Sequence, residues 1–229
     1  MVEHSESAPP AGRRGLALRR RDIVVLVVLL AVLGVLLYLL VRPASVSGIN
    51  GSAVSSGASV YAGIPERVPQ PAPPLKLDNY LGTKVNLSSY RGRAVFVTFL
   101  YTHCPDVCPL IASHLHTALT QMPAAERREV RIVAVSVDPH GDTPTTVAQF
   151  LKTHEMTGLM QYLIGSSGAL HAVWSHWGIA AGPQTSNPEQ VAHIALIYGI
   201  NAKGKVAVIY PANFTPNEIV HDAPLLARS

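Results

Sequence analysis

The sequence predicts an α/β domain with a mixed sheet and flanking helices, preceded by one N-terminal transmembrane helix. An unbroken apolar run at positions 23–41 predicts the membrane segment. Farther along the chain, runs rich in β-branched and aromatic residues alternate with stretches whose apolar residues recur at helical spacing, which is typical of an α/β sheet. The last two strand-like runs are joined by a short turn, so they add an antiparallel hairpin.

The apolar run at 23–41 has a length suited to a bilayer. At a rise of about 1.5 Å per residue it would extend about 28 Å as a helix, close to the roughly 30 Å hydrocarbon core. A cleavable signal peptide is the alternative, because small residues at 44–48 offer a cleavage site. The apolar region of such a peptide usually spans only about 7–15 residues, so we expect an uncleaved anchor that contacts the lipid bilayer.

Charge near this run predicts its orientation. The chain has 18 Lys and Arg against 14 Asp and Glu, for a net charge of +4. Arginines are concentrated before the run, at positions 13, 14, 19, 20 and 21. The positive-inside rule therefore makes residues 1–22 a cytoplasmic basic tail and places the later residues across a bacterial inner membrane, in the periplasm. Glu3 and Glu6 disfavour a mitochondrial transit peptide.

Composition excludes several classes of protein. Hydrophobic residues make up 48% of the chain and charged residues 14%, which excludes a disordered chain. Two cysteines are too few for a multi-disulfide scaffold or a Cys-rich zinc module. Because the excess positive charge is concentrated before the membrane run, nucleic acid is not a predicted partner.

Residues 42–74 and 75–229 differ in composition. The first segment is rich in Ser, Gly, Pro and Ala, which predicts a linker that stiffens toward its proline-rich end. The second has the size of a single domain. Its predicted elements, in chain order, are strand 94–101, helix 105–121, strand 130–137, helix 142–154 with Asp142 or Thr143 as its cap, strand 159–164, helix 167–177, strands 193–200 and 205–210, and helix 215–226.

Both cysteines, Cys104 and Cys108, lie where the buried strand 94–101 passes into a helix. If Cys108 is already helical, the spacing of four residues puts both sulfurs near one face at the helix N-terminus. The helix dipole and the free N–H groups there favour thiolate, which is the nucleophile of disulfide exchange and a soft ligand for copper(I). A purely structural disulfide would close a very small loop and stabilise the fold little.

Two histidines are candidates for a third ligand beside the thiols. His193 opens the predicted strand 193–200 after a long loop, and His103 is directly beside Cys104, where it could instead tune the thiolate. Two thiolates and one imidazole suit copper and are too few for a closed structural zinc site. Asp106, between the cysteines, either shapes partner recognition through its charge or caps the helix.

With these residues in place, the domain resembles the Sco/SenC family, thioredoxin-fold copper proteins that help to assemble cytochrome c oxidase. The resemblance covers about residues 75–227 and includes His193. Its most specific part is the string Thr-His-Cys-Pro-Asp-Val-Cys-Pro at 102–109. The N-terminal anchor and the proline-rich linker are also typical of the family. Further matching segments lie at 85–92, 135–139 and 142–144.

The resemblance implies a thioredoxin-like mixed sheet and a mononuclear site for a copper ion, Cu(I) or Cu(II), made by Cys104, Cys108 and His193. It implies that copper is delivered to the dinuclear centre in the copper-bearing subunit of cytochrome c oxidase, or to another copper acceptor, or that the thiols reduce the cysteines of that centre. An upstream copper donor and a thiol reductant would be further partners. The family often has Asp immediately before the ligand His, whereas this chain has Ala192. If that Asp orients the His or assists docking, either effect is weaker here.

Two other functions would use the same pair of thiols. A thiol–disulfide oxidoreductase acting on exported proteins would have Cys104 and Cys108 as its redox pair and would not need His193. A thiol-dependent peroxidase would need one especially reactive cysteine, which nothing in the sequence demands. The resemblance favours an assembly factor over a turnover enzyme.

Overall fold

The computed structural model describes residues 20–41, 59–183, 191–193 and 195–229, with only the backbone described at 22, 23, 26, 27, 37, 39–41, 182, 183 and 191–193. The chain divides into two units, Met1–Ser55 and Ser56–Ser229. The predicted tail up to residue 19 and the small residues at 44–48 lie outside the described residues.

The described part of the first unit is one helix, α1 (Arg20–Val41). The apolar side chains of α1 that the structure describes are exposed, as Leu29 and Leu33 illustrate at 61% each. Within the described residues, no helix meets the length and hydropathy needed to cross a membrane. The anchor at 23–41 is therefore not shown and stays a prediction from the sequence.

The described part of the second unit contains ten strands, five α-helices and a short 3₁₀ helix at Leu87–Tyr90. The strands are β1 (Ile64–Pro71), β2 (Lys76–Asn79), β3 (Lys84–Asn86), β4 (Ala94–Leu100), β5 (Val130–Ser136), β6 (Met160–Ile164), β7 (Ala181–Pro183), β8 (Val191–His193), β9 (Leu196–Ile200) and β10 (Lys205–Pro211). The helices are α2 (Val107–Gln121), α3 (Ala124–Arg128), α4 (Pro144–Thr153), α5 (Ser167–Trp177) and α6 (Pro216–Arg228).

Eight of these strands form one mixed sheet in the order β1-β10-β9-β4-β5-β6-β2-β3. The central strands β4, β5 and β6 are parallel, because α2 and α3 carry the chain from β4 to β5 and α4 carries it from β5 to β6. Strands β9 and β10 form an antiparallel hairpin beside β4, and β2 and β3 form another beside β6. The predicted mixed α/β sheet with flanking helices is confirmed.

The core explains why the central strands were predictable. Every residue of β4 is buried, as expected for a strand covered by helices on both faces. Helix α2 turns Ile111, Leu115 and Leu119 toward the sheet at helical spacing, and each is at most 3% exposed. Burying such side chains contributes about 1.5–3 kcal/mol each.

Strand β1 corrects the expectation that residues 42–74 are only a linker. Ile64 pairs with Ile209 and Pro71 with Lys205, so this proline-containing segment forms an edge of the sheet. Its residues are exposed or half-buried, and Pro is tolerated at an edge because no N–H is needed on the open side. The side chain of Asp222 in α6 accepts hydrogen bonds from Ala62 N (2.8 Å) and Gly63 N (3.0 Å), which attaches the segment before β1 to the last helix.

Two further features differ from the predictions, and a third decides between two predicted candidates for a helix cap. The hairpin β2–β3 was not predicted, because its strands are short and polar. The predicted strand 193–200 is divided, since His193 ends β8, which pairs with β7, and β9 begins at Leu196. Thr143, and not Asp142, is the cap of α4, where Thr143 and Thr146 form a reciprocal capping box.

Candidate functional site

The two cysteines lie in the loop and first helical turn that follow β4. Asp106 is the N-cap of α2, and its side chain accepts a hydrogen bond from Val107 N. Cys108 is in the first turn of the helix and is fully buried, whereas Cys104 precedes the cap and is 6% exposed. Both cysteines are free thiols.

The sulfur of Cys104 sits against the start of α2. The N–H of Cys108 donates to Cys104 Sγ at 3.3 Å, so a helix N-terminal amide contacts this sulfur directly. The prediction placed both sulfurs on one helical face by spacing alone. The structure differs, because Cys104 lies outside the helix and the loop folds back over its N-terminus. The electrostatic consequence is the predicted one: the thiolate faces the positive end of the helix dipole.

The pKa values of the two neighbouring thiols are shifted in opposite directions. A hydrogen bond from the Cys108 side chain is the main cause that lowers the pKa of Cys104 to about 6, against the opposing effect of burial. Backbone hydrogen bonds from Asp106 and Cys108 lower it further. The same side-chain hydrogen bond, together with burial, raises the pKa of Cys108. Near neutral pH the pair therefore carries one negative charge, on Cys104, and one retained proton, on Cys108.

Of the two roles that the sequence left open for Asp106, the structure shows the helix cap, and the role in partner recognition stays a prediction. As N-cap it satisfies an amide of α2, and its Oδ1 lies 3.7 Å from Cys104 Sγ, which donates to it when protonated. Once Cys104 ionises, the carboxylate and the thiolate repel each other. Asp106 is thus both a structural cap and an exposed negative charge at the thiol.

Sequence reasoning missed the contribution of Asp142. Its Oδ1 accepts from Thr102 N at 2.8 Å and its Oδ2 from the hydroxyl of Tyr162 at 2.8 Å, which fastens the cysteine loop to β6. Burial raises the pKa of Asp142, while the hydrogen bonds from Thr102 and Tyr162 oppose that rise. One signal was available: Thr143 suffices as the cap of α4, so the adjacent Asp142 needed another explanation.

The two histidine candidates are placed differently. His103 is exposed, its Nδ1 lies 3.2 Å from Thr102 Oγ1, and it approaches the carboxylates of Asp138 and Asp142. His193 lies in β8, where its backbone is opposite Ala181 of β7. The side chain of His193 is outside the described part of the chain, so its role as a ligand stays a prediction.

A reactive dithiol at the N-terminus of the helix that follows a central sheet strand defines a thioredoxin-like thiol protein. The family model described as SCO1/SenC matches residues 67–227. The chain therefore belongs to the SCO1/SenC family, and the resemblance inferred from the cysteine motif is confirmed.

Individual relatives agree with this assignment. The chain is 30% identical over 141 residues to a SCO1 protein homolog of Bacillus subtilis, covering 60% of this chain and 72% of that protein. It is similar to apo Sco1 from Thermus thermophilus, with 25% identity and a TM-score of 0.64 over 72% of this chain and 96% of the other. Bradyrhizobium japonicum ScoI with copper bound has 26% identity and a TM-score of 0.57, covering 67% and 97% of the two chains.

The neighbouring structures also describe the chemistry of the family. Copper is bound in the Bradyrhizobium ScoI structure, so a homologue with this fold holds the metal. Another similar structure, with 23% identity and a TM-score of 0.60 over 72% of this chain and 98% of its own, is described as a disulfide switch in BsSco, a member of the Sco family of cytochrome c oxidase assembly proteins.

Proposed function

We propose that this chain is a membrane-anchored copper-binding assembly factor that holds copper through Cys104, Cys108 and His193. It delivers the ion to the dinuclear copper centre of cytochrome c oxidase, or reduces the cysteines of that centre. The observation that carries the proposal is the dithiol at the N-terminus of α2, in which Cys104 has a pKa lowered to about 6. Near neutral pH, a thiolate is therefore ready to bind a soft cation.

The donor set fits copper as a cargo. Thiolate sulfur is a soft ligand that favours Cu(I), and imidazole binds copper in either oxidation state. A structural zinc site would use four protein ligands, whereas this set has three. A three-ligand site leaves room for an acceptor protein to add its own ligands, which suits transfer.

A thiol–disulfide oxidoreductase is the second candidate, and it is favoured by the lowered pKa of Cys104 beside the raised pKa of Cys108. An ionised Cys104 beside a protonated, buried Cys108 is the arrangement of an attacking thiol with a resolving partner. His193 separates the two functions, because disulfide exchange does not need an imidazole ligand. Oxidation of the pair to a disulfide would also prevent copper binding until a reductant restores the thiols.

The proposed location is a bacterial inner membrane, with residues 1–22 cytoplasmic and the thiol domain in the periplasm. The apolar run at 23–41 and the arginines before it support this orientation. The test is extraction of membranes with alkaline carbonate, followed by labelling of intact cells with a thiol reagent that does not cross the inner membrane. Release of the chain by carbonate, or labelling only after cell lysis, would contradict the location.

Analysis of Cu(I) bound to the full-length, reduced chain in detergent tests the copper function, because the soft Cu(I) ion selects thiolate over carboxylate ligands. We expect about one copper per chain, lost with Cys104→Ser, Cys108→Ser or His193→Ala. His176→Ala is the matched control, because His176 is an exposed histidine of α5 far in sequence from the thiols. Copper stoichiometry that survives replacement of both cysteines would exclude this function. Retained disulfide exchange in His193→Ala, with normal copper binding, would favour the oxidoreductase.

A further inference from the structure

A second cluster of metal-ligating side chains lies beside the cysteine loop. His103, Asp138 and Asp142 each offer one ligand atom, and these atoms all lie within 4.8 Å of one another. We propose that they form a separate site for a divalent first-row cation. The donors are one imidazole and two carboxylates, which are harder than the thiolates of Cys104 and Cys108, so the two sites differ in the metals that they prefer.

Asp142 is the buried carboxylate of this cluster. Its Oδ1 accepts a hydrogen bond from Thr102 N and its Oδ2 from the Tyr162 hydroxyl, and the side chains of Ser136 and Thr102 also donate to it. A metal ion bound here would take the place of one of the two hydroxyl donors, Ser136 or Thr102. Such hydrogen bonds are the kind that orient a ligand from behind, and they hold this carboxylate in place although it is only 5% exposed.

Asp138 is oriented by its own loop. Its Oδ1 accepts hydrogen bonds from His140 N (3.2 Å) and Gly141 N (2.9 Å), so Oδ1 is committed to the backbone. The other oxygen, Oδ2, lies near the place where a side chain on Gly141 would be. This arrangement leaves Oδ2 as the oxygen that faces His103.

Gly141 keeps the space beside these ligands open. A Cβ atom built at position 141 would collide with Asp138 Oδ2 and lie 3.1 Å from His103 Nδ1. The backbone of Gly141 is not in the left-handed region, so turn geometry does not require glycine there. Any residue larger than glycine at position 141 would therefore displace the carboxylate of Asp138 or the imidazole of His103.

Charge supplies an independent argument. In the parts of the chain that the structure describes, neither Asp138 nor Asp142 forms an ion pair with Lys or Arg. Two carboxylates in mutual proximity without a cation repel each other, and a divalent cation between them would remove that repulsion. Bonds of about 2.0–2.2 Å to a metal place neighbouring ligand atoms about 3–4 Å apart, so the cluster needs only a small inward movement.

The cluster is open to solvent on the side of His103. That residue contributes to the wall of a groove of about 850 Å³ that runs along α4 past Thr146 and Phe150. A hydrated cation can therefore reach the imidazole first. Among divalent first-row cations Cu²⁺ binds such donors most tightly, so Cu²⁺ is the expected occupant, with Zn²⁺ and Co²⁺ as convenient probes.

The test uses the full-length chain in detergent with Cys104→Ser, Cys108→Ser and His193→Ala combined. This background lacks all ligands of the proposed copper-transfer site, so failure here and failure of that function are separate results. Titration with Zn²⁺ by calorimetry, and with Co²⁺ by visible absorption, should give about one equivalent bound. The Co²⁺ spectrum should show the d–d bands of nitrogen and oxygen ligands without thiolate charge transfer. Absence of a bound equivalent would overturn the proposal.

Point variants in this background locate the ion. Asp138→Asn removes a charged ligand and Gly141→Ala fills the space beside it while keeping every ligand, so each should weaken Zn²⁺ binding at least about tenfold. The matched control is His140→Ala, because His140 is an exposed histidine of the same loop that is outside the cluster. Equal weakening by His140→Ala, or unchanged affinity in Gly141→Ala with an unaltered circular dichroism spectrum, would contradict the proposed site.

Discussion

Two buried carboxylates hold two different parts of the domain by the same kind of hydrogen bonding. Asp142 accepts from the backbone N–H of Thr102 and from the hydroxyl of Tyr162, each at 2.8 Å. Asp222 accepts from two backbone N–H groups at the start of β1 and from the hydroxyl of Tyr210 at 2.8 Å. Each carboxylate thus joins an irregular segment to the sheet through a tyrosine.

The difference lies in what each segment does. Asp222 also contacts the ring Nδ1 of His221 at 2.7 Å, and the segment that it fastens carries no thiol or metal-ligating cluster among the described residues. Asp142 fastens the loop that contains Cys104, and its charge reaches Cys108, where it helps to raise the pKa of that thiol. The same interaction therefore affects stability alone in one region, and stability together with thiol chemistry in the other.

The largest expected effect is the loss of stability on Asp222→Ala. The substitution leaves the buried N–H of Gly63, the partly buried N–H of Ala62 and the buried hydroxyl of Tyr210 without their acceptor, which should lower the free energy of unfolding by about 3–5 kcal/mol. Urea unfolding of the full-length chain measures this loss. Tyr210→Phe is the control, because it removes one donor and should cost about 1 kcal/mol. If Asp222→Ala changed the reactivity of Cys104 under native conditions, the separation of the two regions would be wrong.

The second largest effect is expected at the cysteine pair, where Cys108→Ala should remove the hydrogen bond that lowers the pKa of Cys104. The side chain of Cys108 is the main cause of the low pKa of Cys104, so its removal should move that pKa from about 6 upward, toward the ordinary value of 9.0. Alkylation by iodoacetamide across a pH series measures it. In the unmodified chain the rate should rise with pH through about 6 and level off above, because only the thiolate reacts.

Cys108→Ser separates hydrogen bonding from sulfur chemistry at this position. The serine hydroxyl still donates toward Cys104, so the pKa of Cys104 should rise less than in the alanine variant. Identical alkylation profiles for the serine and alanine variants would show that hydrogen bonding from position 108 does not lower the pKa of Cys104.

Asp142→Asn should affect both stability and thiol chemistry, in contrast to substitutions at Asp222. The amide keeps the shape of the side chain, but its NH₂ group faces either Thr102 N or the Tyr162 hydroxyl, which had donated to the carboxylate. The lost hydrogen bond should lower the free energy of unfolding by about 1–2 kcal/mol. Removal of the charge should also lower the pKa of Cys108, measured in a Cys104→Ser background, where the charge of the Cys104 thiolate is absent, as thiolate absorbance that rises at lower pH. Tyr162→Phe, which retains the carboxylate, should reduce stability and leave that charge effect in place. An unchanged thiolate titration in Asp142→Asn would contradict the assigned influence of its charge.

The central part of the fold was predictable because its information is local. Strand β4 is a continuous β-branched and aromatic run, and α2 has apolar residues at helical spacing, so both were located within a few residues. The cysteine motif and its place at a strand-to-helix junction were likewise visible in the sequence. Strand β1 was missed because an exposed edge segment with prolines has the composition of a linker.

The hydrogen bonds of the buried carboxylates Asp142 and Asp222 were not predictable from the local sequence pattern. Asp142 meets Thr102 across 40 residues and Asp222 meets Ala62 across 160, and nothing near either Asp in the sequence indicates its partner. Asp142 was one of two candidates, with Thr143, for the cap of α4, because Asp is suited to that role wherever it precedes a helix. His193 was assigned through the position of a strand end and the family resemblance, and the division of strand 193–200 shows how weakly such an end is encoded.

The smallest effect should come from Asp106→Asn, which tests how far charge alone acts at the thiol. Asn caps helices about as well as Asp, so stability should change by only a few tenths of a kcal/mol. The substitution removes a negative charge 3.7 Å from Cys104 Sγ, so the pKa of Cys104 should fall slightly below its value of about 6. The shift is small because Asp106 is exposed and water screens its charge. The dependence of the alkylation rate on pH measures this shift. Asp106→Ala also removes the helix cap, so it should in addition lower the free energy of unfolding by about 0.5–2 kcal/mol. A rise in the pKa of Cys104 in Asp106→Asn would mean that the side chain acts mainly by holding the start of α2 against the sulfur, and that its charge is secondary.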